Sequence, residues 1–144
     1  MFVHLETEPD SLYSRVGGDA FFFELVERFY AGVATDPALR PLYPNNLEPP
    51  KRRLALFLIQ YWGGPDTYSQ ERGHPRLRMR HARFAIGQRE RTAWLEHMRR
   101  AVEASNVSPK DAQALMDYFA TAGTSLINRA DESATVEMRR LTQP

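Results

Sequence analysis

Apolar residues return every three or four positions in four stretches of the chain. Between Asp19 and Ala34, residues Phe22, Leu25, Val26, Phe29, Tyr30 and Val33 fall at i, i+3, i+4, i+7, i+8 and i+11, one stripe of an α-helix. Asp19 is placed to cap this helix, and Gly17-Gly18 separates it from one or two helical turns at 11–16. A second helix runs over 50–62 from Pro49-Pro50, with Leu54, Phe57, Leu58 and Tyr61 inward, and stops at Gly63-Gly64-Pro65. A third covers 88–104 and turns Trp94, Leu95, Met98, Ala101 and Val102 inward. Ser108-Pro109-Lys110-Asp111 reads as cap, first-turn proline and acid, and opens a fourth helix at 109–127 carrying Leu115, Tyr118, Phe119, Ala122 and Leu126 inward. No segment shows the period-two alternation of a strand, so the pattern predicts an all-α domain over 11–128. Residues 66–74 read as irregular, 1–10 as a loose leader and 129–144 as a polar tail.

One stretch fits none of these pillars. RGHPRLRMRHARF, residues 72–84, holds five arginines and two of the four histidines. Pro75 is expected to begin a short helix there, since its missing N–H is tolerated only in a first turn. His81 then lies near the helix end, and Arg76, Arg80 and Arg83 share a side at i, i+4 and i+7. The stretch supports three readings: a solvated basic helix, a helical nucleic-acid-binding module with arginines on phosphates, or a haem site with His81 on the iron.

Composition narrows the choice. The 144 residues carry 19 Lys+Arg against 18 Asp+Glu, a net charge of +1, which counts against a dedicated nucleic-acid binder. There is no cysteine, hence no disulfide, thiolate metal site or cysteine nucleophile. No apolar run approaches the ~18–20 residues of a membrane span, and MFVHLETEPD lacks the basic and apolar regions of a secretory signal. The expectation is a soluble cytoplasmic protein.

FYAGVATDPALRPLYP (29–44), RLALFLIQYWGGP (53–65) and RGHPRLRMRHARF (72–84), with Trp94 ten residues on, resemble the group II truncated haemoglobins. The resemblance covers roughly residues 11–128 and implies a two-over-two helical sandwich, a shortened globin holding haem b. It makes His81 the iron ligand and places Tyr30, Tyr43 and Trp94 at the distal polar positions. Dioxygen at a haem carries partial negative charge, which phenol O–H and indole N–H donors in a low-dielectric pocket stabilise. Phe29, Leu54, Phe57 and Leu58 are expected against the porphyrin from the distal helices. Met79, Phe84, Ile86 and Met98 are expected on the proximal side or the haem edge, with Tyr68, Arg72 and Arg80 toward the propionates. His74 and His97 read as non-ligands. Full-length globins usually carry a distal histidine where this chain has Pro50, so no histidine gate is expected. The implied function is reversible binding of dioxygen, carbon monoxide and nitric oxide by a monomer or homodimer. The alternative is a haem-dependent redox enzyme, peroxidase-like or a nitric-oxide dioxygenase, served by a reductase.

Overall fold

The computed structural model describes residues 10–129, so the leader and polar tail lie outside the described residues apart from Asp10 and Arg129. Seven α-helices follow in order: α1 Leu12–Val16, α2 Asp19–Val33, α3 Glu48–Tyr61, α4 Thr67–Arg72, α5 Leu77–His81, α6 Gln88–Glu103 and α7 Pro109–Ser125. A single 3-10 turn lies at Arg40–Leu42, and no strand occurs among the described residues.

The apolar stripes decide the packing. In α2 every stripe residue from Phe22 to Val33 is buried. That helix packs on α3 and on α6, and α6 packs on α7, giving two layers of two helices. Phe22, Phe29, Leu58, Met98 and Phe119 are enclosed at their junction. Each such side chain contributes roughly 1.5–3 kcal/mol by leaving water.

The ends of the helices differ from expectation in instructive ways. Gly18, at φ +77°, is the cap of α2, and Asp19 is its first residue. The Asp19 carboxylate instead accepts the Tyr13 hydroxyl at 2.7 Å. Helix α3 starts at Glu48, two residues early, because both prolines fit a first turn. At its far end Gly63 sits at φ +106°, and a Cβ there would lie 2.4 Å from Ser11 Cβ, so the Trp-Gly-Gly turn requires glycine. Tyr13 N–H donates to the Trp62 carbonyl at 3.1 Å, tying α1 to this turn. Ser108 caps α7 as expected, accepting from Asp111 N–H at 3.1 Å, while the buried Asp111 carboxylate pairs with Arg15 at 3.0 Å.

Three expectations fail. Tyr61, inward by spacing, is 52% exposed. Residues 66–74 are not irregular throughout: Thr67–Arg72 is helical. Gln60 of α3 holds it, accepting from Ser69 N–H at 3.0 Å and donating to Ser69 Oγ at 2.7 Å. Pro75 does not begin the basic helix, which starts at Leu77 after Arg76 in a left-handed conformation, φ +46°. His74 Nδ1 accepts from Arg76 N–H at 3.2 Å, and Arg80 donates to the carbonyls of Pro75 and Arg72 at 2.8 and 3.0 Å. The loop therefore wraps the Arg80 guanidinium, and Arg76, Arg80 and Arg83 do not form one helical row.

Candidate functional site

Between α3, α5, α6, α7 and the segment 39–44 lies a cavity of about 820 Å³. That is near the upper end of the ~300–1,000 Å³ range of small-molecule and cofactor sites. Leu54, Phe57 and Leu58 of α3 form one apolar wall, and Leu77, Phe84 and Ile86 contribute another. The buried Tyr68 meets Phe57 edge to face, with centroids 5.5 Å apart. Pro50 is buried and also lines the space.

His81 is the last residue of α5 and stands on the cavity wall. Its Nδ1 lies 2.6 Å from the Leu77 carbonyl. A carbonyl can only accept, so Nδ1 carries a proton, and in the neutral ring it is Nε2 that keeps the lone pair, the tautomer that a metal-binding imidazole needs. The strand of backbone after His81 is pinned from α7's end. Asn128 Nδ2 donates to the carbonyls of Phe84 and His81 at 2.8 and 3.3 Å, and Asn128 Oδ1 accepts from Ile86 N–H at 2.9 Å.

Tyr30, Tyr43 and Trp94 also line the cavity. The rings of Tyr30 and Tyr43 meet edge to face at 5.4 Å. Burial first, then the neighbouring Tyr43 hydroxyl, holds the Tyr30 proton far above the usual phenol range, with Arg53 pulling the other way. Tyr43 is pushed up to about 12 by burial, with its hydrogen bond to Tyr30 acting the other way. The two hydroxyls therefore form one polar group on the cavity wall. Trp94 packs edge-on to Phe29 at 5.8 Å and to Phe119 at 5.7 Å. Its indole N–H has no protein acceptor among the described residues.

Of the residues expected at the site, all but Phe29 and Met98 line the cavity. Those two are fully buried one layer behind it. Met79 lines it while 61% exposed. Arg72 is exposed, and Arg80 has two donors committed to backbone carbonyls. His74 and His97 do not line it; His97 Nε2 lies 2.6 Å from Asp36. The wall also includes Arg53, Leu77, Tyr118, Phe119, Ala122 and Leu126. The last four belong to the inward stripe of 109–127, which was a sufficient signal.

A sequence model of the bacterial-like globins matches residues 11–128. The chain belongs to that family. Group 2 truncated hemoglobin YjbI of Bacillus subtilis is 33% identical over 114 residues, 79% of this chain and 86% of the relative. Among solved structures, a hemoglobin of Chloroflexus aurantiacus is 51% identical with a TM-score of 0.81, over 83% of this chain and 98% of that one. The group II truncated hemoglobin of Bacillus anthracis superposes with a TM-score of 0.83 at 33% identity, over 87% and 96% of the two chains. This truncated haemoglobin accordingly has a haem-binding and oxygen-binding role. The cavity's donor set fits that cofactor. Among the described residues no three His, Asp or Glu gather as a metal site, whereas a porphyrin brings four nitrogens and needs one imidazole. No helix among the described residues is long and apolar enough to cross a membrane.

Proposed function

We propose that the cavity would hold haem b, with His81 Nε2 as the protein group that holds its iron. Dioxygen, carbon monoxide or nitric oxide would then bind on the side of Tyr43 and Trp94. The observation that carries this reading is the 2.6 Å contact between His81 Nδ1 and the Leu77 carbonyl, which leaves Nε2 as a free base on an apolar wall. When bound, haem iron supplies reversible ligation of a diatomic gas and the associated redox chemistry.

The chain's own residues supply the rest. The Leu77 carbonyl fixes the imidazole tautomer and the orientation of the ring. Trp94 N–H and Tyr43 O–H would donate to a partly negative ligand, and Tyr30, packed edge to face on Tyr43, would position it. Phe57, Leu54 and Leu58 exclude water, which strengthens those hydrogen bonds. Arg53, Arg72 and Arg83 supply cations for the propionates. Several donors in one pocket slow ligand escape, which suits oxygen chemistry or scavenging better than bulk transport. A reductase as electron-donating partner keeps such a site ferrous.

The test is His81→Ala, read by the Soret band and the ferrous carbon monoxide spectrum. The expected result is loss of haem or a weakly held haem with a shifted spectrum. Full haem retention with an unchanged ferrous spectrum would show that another residue holds the iron.

A further inference from the structure

A second aromatic array leads outward from the cavity and shares no residue with Tyr30, Tyr43 and Trp94. Tyr118 of α7 lines the cavity. Its ring centroid lies 4.2 Å from that of Tyr61, with the planes 33° apart. Tyr61 is 52% exposed. Trp62 closes the triangle, 5.1 Å from Tyr61 and 5.8 Å from Tyr118. One ring-to-ring step therefore joins the cavity wall to solvent, with no saturated side chain between.

Proton chemistry gives the array a direction. An oxidised tyrosine is stabilised by giving up its phenolic proton. No acceptor for the Tyr118 hydroxyl is found among the described residues, and burial, then the Tyr61 phenol, pushes it up to about 12. The Trp62 indole N–H is buried with no hydrogen-bond partner, so it too has no base beside it. Of the three rings Tyr61 alone is exposed, and water at its hydroxyl takes a proton freely. An electron vacancy entering at Tyr118 thus comes to rest on Tyr61.

We propose that Tyr61, relayed through Tyr118, is a surface site where small phenols are oxidised by one electron while a hydroperoxide is reduced in the cavity. The proposal rests on the haem reading above. The reaction balances. A hydroperoxide takes two electrons and two protons, its O–O bond breaks, and an alcohol and water form. Each electron leaves through Tyr118 and is replaced from Tyr61, whose proton passes to solvent. A phenol at the surface restores Tyr61 with one electron and one proton and departs as a phenoxyl radical. Two phenols are consumed per hydroperoxide.

The haem-loaded full chain is mixed with tert-butyl hydroperoxide and freeze-quenched, and its paramagnetic resonance spectrum is compared among wild type, Tyr61→Phe, Tyr118→Phe and Tyr13→Phe. Guaiacol oxidation and dityrosine fluorescence are followed in parallel. The expected result is a tyrosyl signal and dityrosine-linked dimers in wild type and Tyr13→Phe. Tyr61→Phe should lose both along with guaiacol turnover, and in Tyr118→Phe the signal should form more slowly. Every variant should keep its ferrous carbon monoxide spectrum. A normal spectrum with the radical signal and guaiacol turnover unchanged in Tyr61→Phe overturns the relay alone. A wild-type protein that takes up no haem overturns the cavity reading and the relay with it.

Discussion

If Trp94 and Tyr43 donate directly and Tyr30 acts through Tyr43, three conservative substitutions should separate by size and by coupling. Trp94→Phe keeps an aromatic ring against Phe29 and Phe119, now 5.8 and 5.7 Å away, and removes an N–H that has no other acceptor among the described residues. Tyr43→Phe keeps the edge-to-face contact with Tyr30 at 5.4 Å and removes the O–H. Each lost hydrogen bond is worth roughly 0.5–1.5 kcal/mol net, which is about a two- to tenfold faster dioxygen release. Tyr30→Phe removes only the bond that orients Tyr43, so its effect should fall at the low end of that range. In the Trp94→Phe background the effect of Tyr30→Phe should grow, because Tyr43 is then the one remaining direct donor. Carbon monoxide is the less polar ligand, and its release should change less in every variant. The assay is a stopped-flow double-mutant cycle for release of both gases. Strictly additive effects, or equal acceleration for the two gases, would show that these rings shape the pocket sterically and donate nothing that matters.

Asn128→Ala removes three hydrogen bonds that pin the backbone of residues 81–86. Haem should pass faster to an acceptor apoprotein, with a stability loss on the order of 1 kcal/mol because the site is exposed; an unchanged transfer rate would deny Asn128 a positioning role. Gly32→Ala would gain ~0.8–1 kcal/mol of helix propensity, but its Cβ would land 2.2 Å from His97 Nδ1 in a ring held by Asp36. Overpacking of that kind costs about 1–3 kcal/mol, so the net change should be a lower Tm, and a raised Tm would show that the His97 ring moves freely. The hydrogen bond from His97, then that from Ala38 N–H, holds the Asp36 carboxyl below its usual range. A depressed folded value means the stabilisation is present above the ordinary carboxylate range and is lost as pH falls through the folded value. Asp36→Asn should therefore flatten the acid limb of a stability-versus-pH curve; an identical acid limb would contradict the pairing.

Periodicity reads a residue whose burial is decided by its own helix, and that is why the four long helices were legible. The stripe from Phe22 to Val33 is buried as spaced, and the all-α architecture follows from it. Elements held by a distant side chain have no such local trace. Helix α4 lacks an apolar stripe and depends on Gln60 reaching Ser69 from α3. The start of α5 depends on Arg80 closing the loop onto Pro75 and Arg72. Periodicity also cannot tell a side chain packed into the core from one facing an internal space. Phe29 and Leu54 share the same apolar signature, yet Phe29 lies a layer behind the cavity and Leu54 lines it.

The arginine run shows the same limit in electrostatic form. Spacing alone makes Arg76, Arg80 and Arg83 one cationic row on one face. The left-handed turn at Arg76 breaks that row, and each guanidinium then meets different surroundings. Arg80 is structural, with two donors on backbone carbonyls. Arg83 lies over the Phe84 ring at 4.9 Å, beside the cavity. Arg76 is exposed and does not line it. A polyanion tracking a uniform basic stripe would find no stripe here. The charges instead divide between holding the loop that carries His81 and facing the cavity beside it.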